Sequence, residues 1–190
     1  MEIVLVRHGE TEWSRTGRHT GRTDVPLTVD GQDQARVLRD PLGAWSFGRV
    51  ISSPLSRARD TCELAGMGER AELSEALLEW DYGEYEGITT ASIREGRPGW
   101  VLWRDGCPGG ETAAEVGARV NPLLDELRST PGDEDIALFA HGHLLRVLTA
   151  RWLGLPPKDG RLFALSVATL SVLGFEHELP VIRRWNAPVA

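Results

Sequence analysis

The sequence predicts an α/β fold: a three-layer sandwich in which a mostly parallel central sheet carries helices on both faces. Three observations point there. Short β-branched apolar runs alternate with longer segments of helical character. Two of the runs stop abruptly on the same pair, His8-Gly9 and His141-Gly142, as buried strands do on entering a turn. At 190 residues the chain is long enough for one domain with a sizeable core and short for two, so 1–190 reads as a single domain.

In chain order, Glu2 to Val6 is the first strand, buried and ending at Arg7 and His8. Thr28 to Leu38 reads as a helix with Ala35 and Leu38 inward. Arg49 to Ser52 is a second strand, and Pro54 is expected to open a helix through Leu64, since a proline N–H is not missed in a first turn. Thr112 and Glu115 have capping-box spacing for a helix to about Leu127. Val116, Val120, Leu123, Leu124 and Leu127 give it an inward stripe. Asp135 to Ala140 is a strand, and His143 to Leu153 a helix closed by Gly154 and Pro156. Val167 to Phe175 and Val181 to Trp185 read as an antiparallel pair turning at Glu176-His177-Glu178.

Bulk properties exclude several function classes. A net charge of -7 lacks the cationic face that nucleic-acid binding requires. No apolar run approaches the ~20 residues of a membrane helix, and the acidic start is unlike a signal peptide. Cys62 and Cys107 have no metal-ligand spacing and suit a reducing compartment. These features predict a cytoplasmic protein without membrane or nucleic-acid partners; a homodimer is left open. The arginines greatly outnumber the single lysine, Lys158, which fits a compositional bias, so each arginine is judged by position.

In sheets of this kind ligands sit beyond the carboxyl ends of the strands. Three predicted strands deliver polar residues there: Arg7 and His8, then Ser52 to Arg57, then His141. Arg7 and Arg57 offer guanidinium forks that match phosphate oxygens, and Arg57 would lie in a first helical turn, where an anion is favoured. An imidazole can attack phosphorus, and neighbouring arginines would keep His8 neutral and nucleophilic. His141 could donate to the charge building on the phosphoryl oxygens. Glu79, following two leucines, is the carboxylate expected to lie half-buried at a cleft and protonate the leaving group. Individually each residue has a plainer reading: a hydrogen-bonded strand-end histidine, a solvated arginine, an acidic loop at Glu79, Asp81, Glu84 and Glu86. Their convergence on one sheet edge favours the chemistry.

The residues also resemble a family. Arg7-His8-Gly9-Glu10-Thr11-Glu12-Trp13, Gly17 to Thr28, Ser53-Pro54-Leu55 with Arg57, Ala58 and Thr61, Glu79 with Tyr82-Gly83 and Tyr85-Glu86-Gly87, and Ala140-His141-Gly142-His143 follow, in order, the blocks of the histidine phosphatase superfamily, the phosphoglycerate mutase-like fold group. Within it the segments Trp80 to Gly87, Arg104 to Thr112 and Phe139 to His143 are similar to mycobacterial acid phosphatases and fungal sedoheptulose-bisphosphatase-like enzymes. The resemblance implies a phosphatase of small phosphorylated metabolites that needs no metal or cofactor. His8 would be the phosphorylated nucleophile, Glu79 the proton donor, and Arg7, Arg57 and His141 the phosphate pocket. Thr20 and Gly21 would line its rim, with Gly142 also against phosphate. Ser14 stands where many relatives have a phosphate-contacting asparagine, which implies a modified contact.

A mutase is the alternative, though the chain is short for one; a non-catalytic phospholigand module would require a defect in the set. His141-x-His143 as metal ligands has no supporting motif. Residues 89–110 are expected to form a lid or side wall, with Trp80, Tyr82, Trp100 and Trp103 as candidates to line it.

Overall fold

The computed structural model describes residues 1–129 and 134–189. Six strands form one sheet in the order β3-β2-β4-β1-β5-β6. They are β1 (Ile3–Arg7), β2 (Phe47–Ser52), β3 (Ala71–Leu73), β4 (Asp135–Ala140), β5 (Thr169–Glu176) and β6 (Leu179–Pro188). The first four run parallel, while β5 and β6 close one side antiparallel. The expected sheet is present; β3 was not foreseen, because three residues carry too little pattern to register as a strand.

Eight α-helices accompany the sheet among the described residues: α1 (Glu12–Arg15), α2 (Val29–Val37), α3 (Arg39–Leu42), α4 (Ser56–Leu64), α5 (Thr90–Gly96), α6 (Leu102–Asp105), α7 (Ala113–Ser129) and α8 (Gly142–Trp152). Strand pleating divides the core in two. On one face Ile3, Leu5, Ile136 and Leu138 pack with the stripe of α7 and with Leu144, Leu148 and Trp152 of α8. On the other, Val4, Val6, Ala137 and Phe139 pack with Leu38, Leu42 of α3 and Cys62 of α4. Adjacent residues of one strand thus serve opposite layers, which is the three-layer sandwich.

The capping box at α7 forms in both directions: Glu115 N–H donates to Thr112 Oγ1 at 3.3 Å, and Thr112 N–H to Glu115 Oε2 at 2.8 Å. Pro122 lies inside that helix without ending it. Pro54 is a correction. It precedes α4, whose N-cap is Leu55, so the proline shapes the approach to the helix and does not occupy its first turn.

Candidate active site

Parallel register decides where the strand ends meet. Arg7 of β1 lies level with Ala140 of β4, and Ser52 of β2 with Phe139. The residues that follow, His8, Ser53 and His141, therefore emerge together at one edge. His8 is 5 % exposed, and its ring centroid lies 5.1 Å from that of His141. Its backbone is pinned on both sides, the N–H to Ala140 O at 3.0 Å and the carbonyl to Ala168 N at 3.1 Å.

The His8 tautomer follows from its partner. Nδ1 lies 2.7 Å from the Gly9 carbonyl, which can only accept, so Nδ1 carries the proton and Nε2 keeps its lone pair. Burial, then the charges of Arg57 and Arg7, hold His8 well below the ordinary 6.5, against the opposing pull of the Gly9 carbonyl. Gly9 must be glycine for space: a Cβ there would stand 2.3 Å from the Gly31 carbonyl oxygen.

Arg7 donates through Nη1 to the Leu165 carbonyl, while its buried Nε has no hydrogen-bond partner. A buried donor without a partner costs roughly 1–3 kcal/mol, and this one belongs to a residue lining an open cleft with His8, Glu79 and Gly142. The guanidinium thus stands at the cleft wall with donor capacity unspent. Gly142 permits the arrangement, since a Cβ would press on the Arg7 guanidinium carbon at 3.1 Å.

Arg57 and His141 are fully buried and lie behind the cleft, outside its lining. The Arg57 fork is engaged by the rim loop: Nη1 donates to Thr23 O at 3.0 Å, Nη2 to Gly21 O at 2.8 Å and to Thr20 O at 3.2 Å. Its Nε donates to His141 Nδ1 at 3.1 Å, so the His141 proton sits on Nε2, directed at Ser53 Oγ 2.8 Å away. The structure thus gives Arg57 a second task, holding residues 20–23 over the site, which spacing along the chain could not show.

Glu79 is 5 % exposed and lines the cleft. Its Oε1 accepts from Trp80 N at 2.9 Å and Leu144 N at 2.8 Å, and Oε2 from His143 N at 3.0 Å. It therefore caps α8, whose own N-cap residue His141 makes no side-chain cap. Two bonds occupy Oε1 and one occupies Oε2, so Oε2 retains a lone pair for a proton. The neighbouring carboxylates are structural: Glu86 holds Gly21 N at 2.8 Å and Asp81 holds Gly83 N at 2.9 Å.

A family model for the histidine phosphatase superfamily (branch 1) matches residues 3–188. The chain belongs to the histidine phosphatase superfamily. It is 42 % identical over 177 residues to an acid phosphatase of Mycobacterium tuberculosis, covering 92 % of this chain and 87 % of that protein. It is 38 % identical over 182 residues to sedoheptulose 1,7-bisphosphatase of Saccharomyces cerevisiae, covering 80 % and 67 %. A solved structure of a Mycobacterium tuberculosis open reading frame superposes with a TM-score of 0.94 at 39 % identity, over 100 % of this chain and 98 % of that one. The enzyme class read from the sequence, a phosphoric monoester hydrolase of small metabolites, stands with these relatives.

In this histidine phosphatase the cleft has a volume of about 390 Å³ and is walled also by Arg18, His19 and His143, which lie within the motif blocks but had no substrate contact assigned, and by Thr90, Arg94 and Arg146, which lie outside them. Three-dimensional convergence gives these six residues their place in the wall. Residues 89–110 do form a wall, through Thr90, Arg94 and Trp100 to Trp103. Of the expected aromatics Tyr82, Trp100 and Trp103 line it, whereas Trp80 is fully buried with its indole N–H on Glu111 O at 2.8 Å. Trp80 is a core residue that backs the cleft wall, its ring edge-on to Trp103 at 5.5 Å. Ser14 and Thr20 are at the rim, with the Ser14 hydroxyl donating to Thr11 O at 3.0 Å; Gly21 lies beneath it, its carbonyl on Arg57. His141 and His143 turn apart, His143 Nδ1 meeting the Tyr82 hydroxyl at 2.6 Å. Among the described residues, no group of three or more His, Cys, Asp or Glu side chains is placed to hold a metal ion.

Proposed function

We propose that this chain, as a single domain over residues 1–190, hydrolyses phosphomonoesters of small metabolites through a phosphohistidine on His8. The observation that carries the reading is His8 Nε2, a lone pair fixed by the Gly9 carbonyl and kept unprotonated by burial and two arginines, at a cleft that Arg7 lines. The Nε2 lone pair forms a bond to phosphorus as the ester P–O bond breaks, and the leaving alkoxide takes the proton of Glu79. Water then attacks phosphorus and returns a proton to Glu79; the P–N bond breaks, releasing inorganic phosphate and neutral His8. Arg7 and the Gly142 N–H at the start of α8, whose next two N–H groups are held by Glu79, stabilise the charge on the transferring oxygens. Arg57 holds the rim and His141 packs edge-on against His8, and they reach the phosphate by exchanging a loop carbonyl or Ser53 for it. We assign the protein to the cytoplasm, acting on a small phosphorylated substrate without nucleic-acid or membrane partners, with a homodimer left open as its assembly. Among the described residues no helix is long and apolar enough to cross a membrane.

Free phosphate is the deciding measurement. A panel of phosphorylated metabolites should yield inorganic phosphate stoichiometric with substrate lost. Isomerised phosphoglycerate with negligible phosphate release would replace this reading with a mutase.

The pH profile follows from the same imidazole. Its depressed pKa keeps the nucleophile neutral as pH falls below 6.5, and protonation stops attack only at a lower pH. The acid limb of kcat/KM is therefore expected well below 6.5, after allowing for substrate ionisation near about 6. An acid limb at or above 6.5 would remove the arginines and burial from this role.

A further inference from the structure

We infer that the cleft binds a second anionic group on the same substrate molecule, a phosphate or carboxylate, through Arg94 with Arg18 and Arg146. The inference rests on the phosphatase reading and specifies the kind of ester. Four guanidinium groups line the cleft, those of Arg7, Arg18, Arg94 and Arg146, against one carboxylate, Glu79. A monoester phosphate brings about -1.5 to -2 charges near neutral pH. Seated against His8 and Arg7, it leaves at least one positive charge without a counterpart, and another once Glu79 is protonated.

The excess runs against the composition of the chain. The chain has 28 acidic residues against 21 basic ones, so carboxylates are available. Arg22, on the adjoining loop, lies near Asp81 and Glu111. Among the described residues Arg18, Arg94 and Arg146 have no carboxylate partner.

The side chains of Arg94 and Arg146 are also held in place, and Arg18 is fixed through its backbone. Arg18 pairs through its backbone with Thr89, the residue whose side chain caps α5. That helix presents Arg94, which is anchored through Nε to Trp100 O at 2.9 Å while its two terminal nitrogens bond no described residue. Arg146 stands one turn along α8 from Gly142, with its guanidinium carbon 4.6 Å from the Trp103 ring centroid and Nε on Gly160 O at 3.1 Å. Arg7 sits at the end where phosphate is transferred, and these three extend the positive field outward from it. A substrate with a single charged end would leave them solvated; one with a second anionic end would engage them.

The test uses matched substrates on the whole enzyme: fructose 1,6-bisphosphate against fructose 6-phosphate, and 3-phosphoglycerate against glycerol 3-phosphate. The wild type should favour the doubly anionic member of at least one pair by about tenfold or more in kcat/KM. A preference confined to the first pair assigns a phosphate subsite, one confined to the second a carboxylate subsite. Arg94→Gln should lower that preference about tenfold, and Arg94→Lys should restore most of it, which a purely structural role for the side chain would not do. Equal kcat/KM within both pairs, or a preference unmoved by Arg94→Gln, overturns the inference while phosphate release from every substrate leaves the phosphatase reading intact. Absence of phosphate release from all four, and from an aryl phosphate, would instead overturn the phosphatase reading.

Discussion

Replacing His8 by alanine abolishes phosphate release, with an expected loss of about 10⁴-fold or more, because no other group in the cleft combines an available lone pair with this position. His141, the nearest imidazole, cannot substitute: Arg57 occupies its Nδ1 and its Nε2 proton is on Ser53. His143 turns its Nδ1 to Tyr82. The variant should remain folded, since His8 is anchored chiefly by backbone bonds to Ala140 and Ala168 that alanine retains. Rapid quench of the wild type with labelled substrate should trap a base-stable, acid-labile adduct on His8, absent from the variant. Turnover without that adduct, or a variant within tenfold of the wild type, would exclude the covalent route.

Glu79→Gln separates substrates by leaving group. Alkyl phosphates, whose alkoxides need a proton, should slow by about 10²–10⁴-fold, while aryl phosphates slow far less. The substitution also disturbs α8. Glutamine offers one acceptor oxygen for a site that receives N–H groups from Trp80, His143 and Leu144, and its amide would face one of these donors at a cost of about 1–3 kcal/mol. The ratio of alkyl to aryl rates cancels any loss of folded protein, so it is the quantity to measure. Equal losses on both classes would leave Glu79 as the cap of α8 only.

Much of the scaffold was legible because its signals are local. β4 spans Asp135–Ala140 as expected, and α7 begins beside the capping box at Thr112 and Glu115. α2 carries Ala35 inward and is followed by the buried Leu38, as expected. The short pieces α1, α3, α6 and β3, of three or four residues each, escaped because they hold scarcely more than one period of any pattern, too little for it to repeat. Pro54 misled because proline is equally at home just before a helix and in its first turn.

The chain on its own determined the chemistry at the strand ends: an imidazole beside guanidinium groups and a carboxylate following two leucines, in an order that places phosphorus chemistry at one sheet edge. Folding decided what each group does there. Parallel register set His8 against His141, donor geometry chose the tautomers, the open first turn of α8 claimed Glu79, and the loop carbonyls at 20–23 claimed Arg57. It also gathered Arg18, Arg94 and Arg146 around one cleft from segments far apart in the chain. The physical reason is range. Propensity and periodicity act over a few residues, whereas hydrogen-bond partnership and charge balance depend on distances in space that only the packed sheet and helices define.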